Sequence, residues 1–123
     1  MIAQHFTDLL VWQKGHQLVL LIYKITSQFP TKEVYSLVDQ MRRAVISITS
    51  NIAEGFARKG IKEKIQFYYL AVGSLTELQN QLLVARDVGY LEAETFGKVN
   101  ILTVELNKLL NSLIRSLRSS PNY

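Results

Sequence analysis

Apolar residues recur every three to four positions through almost the whole chain, and the recurrence breaks at only a few places. Val11, Leu18, Leu21, Ile22, Ile25 and Phe29 share one side of a first segment, with Trp12 near its start. That spacing is the mark of an amphipathic helix. Thr7 or Asp8 stands where an N-cap belongs, and Pro30 pushes the residue before it out of helical conformation. The first predicted helix therefore covers about 9–29.

Ser36, followed by Asp39, resembles a capping box with Asp in place of the usual Glu, and opens a second helix over 37–57. Arg58-Lys59-Gly60 is a tight link whose glycine suits a turn or cap. A third helix, 61–88, would span about 40 Å at 1.5 Å per residue. Ile65, Tyr68, Val72, Leu75, Leu82 and Ala85 form its seam, widened by Tyr69, Leu78 and Leu83. Gly89 is placed to end it as a left-handed C-cap, with Tyr90 and Leu91 folding back over the end. The fourth helix, 92–117, points Phe96, Val99, Leu102, Leu106, Leu109, Leu113 and Leu117 inward. The stretch 119–123 reads as a frayed tail. Four long helices with short links predict an all-α, antiparallel up-down-up-down four-helix bundle, with residues 1–123 as a single domain.

The second helix has two unlike faces. Met41, Ala44 or Val45, Ile48 and Ile52 face a core, whereas Gln40, Arg43, Ser47, Ser50 and Glu54 form a polar stripe. With Asn51, this is the densest set of polar groups in the chain. A hairpin centred on Lys59-Gly60 sets Arg42 and Arg43 beside Glu77, and Ser47 beside Val72 and Gly73. A glycine inside a long helix costs about 1 kcal/mol relative to alanine. Gly73-Ser74 opposite Ser47 therefore implies close helix approach, and Arg42 or Arg43 with Glu77 a register-setting ion pair. We read Arg42, Arg43, Ser47, Asn51, Glu54, Gly73, Ser74 and Glu77 as packing and subunit-contact residues. No nucleophile, base and acid converge with them to suggest catalysis.

Charge changes the picture at the ends. The chain carries 14 Lys and Arg against 10 Asp and Glu, a net charge of +4. Alternating helix directions bring Lys14, Arg58, Lys59, Lys62, Lys64, Arg115 and Arg118 to one pole, against Asp8, Glu54 and Glu63. The other pole holds Glu33, Asp39, Asp87, Glu92 and Glu94 against Lys24, Lys32, Arg86 and Lys98. A basic end is what a phosphate backbone selects, while an ordinary solvated surface is the plain alternative. Repetition of the pole around a symmetric oligomer would raise the local field.

Composition narrows the remaining chemistry. Cysteine is absent, which removes disulfides, thiolate nucleophiles and Cys-based metal sites. No Glu has a His three residues on, as a di-iron bundle requires. His5 and His16 lack a second ligand nearby in sequence, and no phosphate loop, zinc-protease or hydrolase motif occurs. We therefore expect no cofactor, no metal and no enzymatic activity. The first residues have neither the basic nor the apolar part of a signal peptide, and the longest apolar run, 18–23, is far short of the roughly 20 residues of a membrane span. A cytoplasmic location without membrane contact is the expectation. The six tyrosines read as packing residues with a polar edge. The Tyr68-Tyr69 pair is the one candidate for stacking on bases.

Several blocks resemble a known family: Leu10-Val11-Trp12-Gln13-Lys14, Phe29-Pro30, Gln40-Met41-Arg42-Arg43-Ala44, Ser50-Asn51-Ile52-Ala53-Glu54-Gly55, Gly73-Ser74-Leu75-Thr76-Glu77-Leu78 and Gly89-Tyr90-Leu91. Together they strongly resemble the four-helix-bundle proteins encoded within intervening sequences of bacterial large-subunit (23S) rRNA genes, over about residues 9–117. Thr49 departs from the proline common in that family, which implies a straighter second helix, and Gly60 stands where a Ser or Thr cap is usual. The resemblance implies a homo-oligomer, typically a pentameric ring, with no established enzymatic activity. A distant relative is the accessory protein of diversity-generating retroelements, a basic pentamer that binds nucleic acid and a reverse transcriptase. Two functions follow as expectations. One is a homopentameric module binding RNA or DNA through the basic pole. The other is a scaffold for a protein partner such as a reverse transcriptase, without direct nucleic-acid binding.

Overall fold

A computed structural model describes residues 2–123; Met1, the first residue of the expected 1–123 domain, lies outside the described residues. The chain forms α1 (Leu10–Thr26), α2 (Leu37–Ala57), α3 (Ile61–Asp87) and α4 (Ala93–Arg118), with single turns of 3-10 helix at Phe6–Asp8 and Thr31–Glu33. No strand occurs among the described residues. α1 packs on α2, α2 on α3, α3 on α4 and α4 on α1, with no close backbone approach across either diagonal. This is the up-down four-helix bundle that the hydrophobic periodicity predicts.

The apolar stripes meet in one continuous core. Leu18 and Ile22 of α1, Met41, Val45, Ile48 and Ile52 of α2, Leu75, Leu78 and Leu82 of α3, and Val99, Leu106 and Leu110 of α4 are all fully buried. Each contributes about 1.5–3 kcal/mol of transfer free energy. The centre line of α4 differs from the expectation: Val99, Thr103, Leu106, Leu110 and Ile114 are buried. Phe96, Leu102, Leu109, Leu113 and Leu117 only flank the core. Two adjacent apolar rows run along this helix, so periodicity alone does not choose between them. The surfaces of α1 and α3 packed against it do. Likewise α3 buries Ala71, Leu78 and Gln81, while Val72 is half-buried and Tyr69 and Leu83 face outward.

The helix ends show where local signals are overruled. α1 has Leu9 as its N-cap with no side-chain cap bond. Asp8 instead closes the preceding turn, its Oδ2 accepting the backbone N–H of Gln4 and of His5 at 3.1 Å each. At its other end α1 stops at Thr26, short of Phe29. Gln28 N–H bonds Ile25 O and Phe29 N–H bonds Thr26 O, so the chain tightens into i→i+3 turns before Pro30. The Ser36–Asp39 capping box is absent. Ser36 lies at φ −126°, ψ −97° and donates its hydroxyl to Glu33, leaving Asp39 to pair with Arg43 at 3.3 Å.

Glu33 also accepts a hydrogen bond of 2.8 Å from the Tyr90 hydroxyl, tying the α1–α2 connection to the α3–α4 connection. The donors Ser36 and then Tyr90 hold its carboxyl below the usual carboxylate range. The α3–α4 turn follows expectation. Gly89 has φ +88°, Tyr90 N–H reaches Ala85 O at 2.9 Å and Gly89 N–H reaches Arg86 O at 3.1 Å. That pair of bonds is a Schellman cap, and Leu91 is buried beside it.

The close helix approach is real but falls at different glycines. A Cβ on Gly55 would sit 2.7 Å from the Tyr68 ring, and one on Gly15 would sit 2.9 Å from the Thr49 methyl, whereas Gly73 has nothing within 4 Å. Gly73 is solvent-facing because α3 turns Ser74, rather than its neighbour, toward α2. Substituting Gly55→Ala must displace the Tyr68 ring or separate the helices, an overpacking cost of about 1–3 kcal/mol. Gly97→Ala, with open space, removes a helix-breaking glycine and should gain up to about 1 kcal/mol. Urea unfolding of the two variants is expected to show opposite shifts.

Burial pushes the Tyr68 phenol up to about 12 from 10.0. The folded state thus favours the neutral phenol, and its contribution to stability is complete below pH 10 and lost as pH rises toward 12. The urea midpoint should fall over that interval, and the fall should be shallower in Tyr68→Phe.

Candidate nucleic-acid interface

The basic pole is built by chain ends that converge. α2 ends at Ala57, Arg58 and Gly60 are extended, and α3 begins at Ile61. The link therefore projects Arg58 and Lys59 from the end of the α2–α3 pair, with Lys62 in the first turn of α3. Gly60 caps α3 at φ −81°, a conformation open to any residue, so its role is not conformational freedom. α4 brings Arg115 and Arg118 in its last turn.

The side chains differ in what they touch. Arg58 lies 4.7 Å above the Phe67 ring, Lys62 5.9 Å from the Tyr123 ring and Arg118 5.3 Å from the Tyr69 ring, all measured to centroids. Arg58, Lys59, Lys62, Arg115 and Arg118 are exposed, and none has a carboxylate partner among the described residues. Two of the expected seven cations are committed elsewhere. Lys14 pairs with Glu105 at 3.1 Å. Lys64 donates to Phe56 O at 2.7 Å and Gly55 O at 3.4 Å. It is the C-terminal cap of α2, where a cation meets unsatisfied carbonyls and the negative end of the helix dipole. Desolvation lowers its pKa.

At the other pole several charges neutralise one another: Arg43 with Asp39, Arg86 with Asp87 at 2.9 Å, and Lys98 with Glu94 at 3.7 Å. Lys24 and Lys32 at this pole stay exposed with no carboxylate partner among the described residues, as do five cations at the basic pole, where Glu54 and Glu63 are likewise unpaired.

The residues expected to set packing divide in the same way. Ser47 Oγ and Ser74 Oγ share a hydrogen bond of 2.8 Å. Asn51 Nδ2 donates to Ser47 O at 2.9 Å and Ser47 Oγ at 3.1 Å. This polar clasp joins α2 to α3. The expected arginine–Glu77 pair does not form. Arg42 turns toward α1, where Nε donates to Thr26 Oγ1 at 3.0 Å, a terminal nitrogen donates to Tyr23 O at 3.3 Å, and the guanidinium covers the Tyr23 ring. The Thr26 hydroxyl and the Tyr23 carbonyl near the end of α1 take the place of the Glu77 carboxylate. Glu54 and Glu77 are exposed and have no ion-pair partner among the described residues.

Three residues depart from what the sequence pattern suggests. Gln81 is buried with an Oε1 that finds no partner among the described residues. Nothing in the hydrophobic pattern distinguishes a buried amide from a surface one. Tyr69, expected in a widened seam, is exposed, while its neighbour Tyr68 is buried. Tyr123, expected in a frayed tail, lies against Lys62; no periodic signal marks it. No group of three or more His, Cys, Asp or Glu side chains converges as a metal site among the described residues, and no described helix is long and apolar enough to cross a membrane.

These features define an up-down helical bundle with five exposed cations, unpaired among the described residues, at one end. The chain belongs to the 23S rRNA-intervening sequence protein family, whose sequence model matches residues 7–112. A solved structure described as a protein of unknown function from the S23 ribosomal protein family of Bacteroides thetaiotaomicron superposes with a TM-score of 0.80. The match covers 85% of this chain and 95% of that one at 23% identity, a likeness that carries the fold. None of the curated proteins matches the chain.

The two kinds of cation separate experimentally. Lys64→Met should lower stability by about 0.3–1 kcal/mol through loss of the α2 cap, whereas Lys59→Met, which removes no such cap, should leave the urea midpoint unchanged.

Proposed function

We propose that the protein is a non-catalytic, self-associating helical bundle that binds nucleic acid through its basic pole. The observation that carries this reading is the set of five exposed cations at one end of the bundle, Arg58, Lys59, Lys62, Arg115 and Arg118, without carboxylate partners among the described residues. Cations held away from carboxylates are available to phosphates, and each neutralised phosphate releases counterions.

Self-association is supported by the outer side of α3. Leu70, Gly73, Glu77 and Val84 are exposed at helical spacing on one stripe, which also carries Gln81, whose Oε1 has no hydrogen-bond partner among the described residues. Apolar side chains and an exposed carboxylate in one row fit a surface that meets another copy. A ring of copies, pentameric as the family resemblance implies, would place several basic poles on one rim and multiply their field.

The test is fluorescence anisotropy of a labelled oligonucleotide across a salt series, with light scattering on the same samples. The wild-type protein should bind with an affinity that falls steeply with salt, and its mass should be a multiple of the 14.1 kDa protomer. Neutralising Arg58, Lys59 and Lys62 together to Gln should weaken binding at least about tenfold and flatten the slope by about 0.7 on a single strand, or about 0.9 on a duplex, for each phosphate that is no longer neutralised. Unchanged affinity in that variant would sink the nucleic-acid assignment. A strictly monomeric mass at micromolar concentration would sink the assembly.

A further inference from the structure

We infer that the basic pole takes an unpaired base into the notch between Tyr69 and Tyr123, so that its ligand is single-stranded rather than duplex nucleic acid. This rests on the nucleic-acid reading above and specifies its ligand class.

The notch has a volume of about 350 Å³ and is lined by Lys62, Glu63, Ile65, Gln66, Tyr69 and Tyr123. Ile65 is buried and supplies an apolar base to the depression. The two tyrosines remain 41% and 51% exposed, against 3% for the adjacent Tyr68. Tyr69 and Tyr123 instead expose large aromatic surface within reach of cations. The Arg118 guanidinium covers the Tyr69 ring and the Lys62 ammonium lies near the Tyr123 ring, so the same cations that would meet phosphates also orient the rings.

Aromatic surface interleaved with cations is the combination by which single strands are held: bases stack on the rings while the phosphates track the charges. Gln66 offers both a donor and acceptors to a base edge. The Glu63 carboxylate repels phosphate from the notch itself, which directs the backbone toward Lys62, Arg115 and Arg118 and leaves the depression to the uncharged base. In a duplex the base faces are already stacked on their neighbours and cannot reach these rings.

The experiment compares one sequence as single-stranded RNA, single-stranded DNA and duplex DNA, each end-labelled for anisotropy, with 2-aminopurine at one internal position of the single strands. Wild type should bind a single strand several-fold tighter than duplex and quench the 2-aminopurine emission by stacking. Tyr69→Ala should weaken single-strand binding about tenfold and abolish the quenching, with duplex binding unchanged and the urea midpoint close to wild type, since the ring lies at the surface. Tyr69→Phe should restore both signals, because the ring and not the hydroxyl stacks. Tighter binding of RNA or of DNA supports the inference equally, since both supply unpaired bases.

The inference is overturned, with the basic-pole reading intact, if Tyr69→Ala and the Tyr69→Ala/Tyr123→Ala double variant bind single strands like wild type while the Arg58, Lys59 and Lys62 triple variant does not. If wild type binds none of the three ligands, the underlying reading falls and the inference with it.

Discussion

The structure depends on how closely α2 and α3 can approach. Gly55 lets the Tyr68 ring lie against the α2 backbone, and the Ser47–Ser74 hydrogen bond with Asn51 fixes the sliding position of one helix on the other. Hydrophobic burial is non-directional and would tolerate neighbouring registers. A glycine that fits one ring, with hydroxyls that pair at one level, would not. The register in turn sets where the chain turns back at Arg58-Lys59-Gly60, and so where the charged link projects.

The same geometry decides which charges are available. Lys64 follows Lys62 by two positions, yet the helical path points it at the carbonyls closing α2 while Lys62 remains in solvent near Tyr123. Arg42 and Arg43 are adjacent, yet one reaches across to the end of α1 and the other stays on its own helix with Asp39. A formal net charge treats these side chains alike. Side chains without a carbonyl or carboxylate partner are the ones free to reach a polyanion, and five of them, Arg58, Lys59, Lys62, Arg115 and Arg118, stand at one end.

Much of the fold is legible in the sequence for a simple reason. Helices of this length carry many apolar residues each, and a 3.6 period sampled that often is hard to mistake. Gly89 is equally legible, because its position after the last periodic residue of α3 leaves one backbone solution. Caps are less so. Asp8, Ser36 and Asp39 each have the chemistry to cap, but each finds a different partner within a few residues. Candidate site residues divide similarly: the cationic pole follows from helix direction alone, whereas the withdrawal of Lys14 and Lys64 requires knowing what stands opposite.

The chain by itself determined four helices, their order and direction, and the pole to which each charge belongs, because these follow from periodicity and from short links that force antiparallel neighbours. Tertiary structure alone decided the rotation of α3 and α4, and with it the burial of Tyr68 and the exposure of Tyr69. It also decided that Gly55 rather than Gly73 lies against a facing side chain, and which cations lose their freedom to backbone carbonyls. The physical reason is common to all of these. A helix with apolar residues on adjacent rows can bury either row, and a long polar side chain can reach several partners, so the choice belongs to the surfaces packed against it.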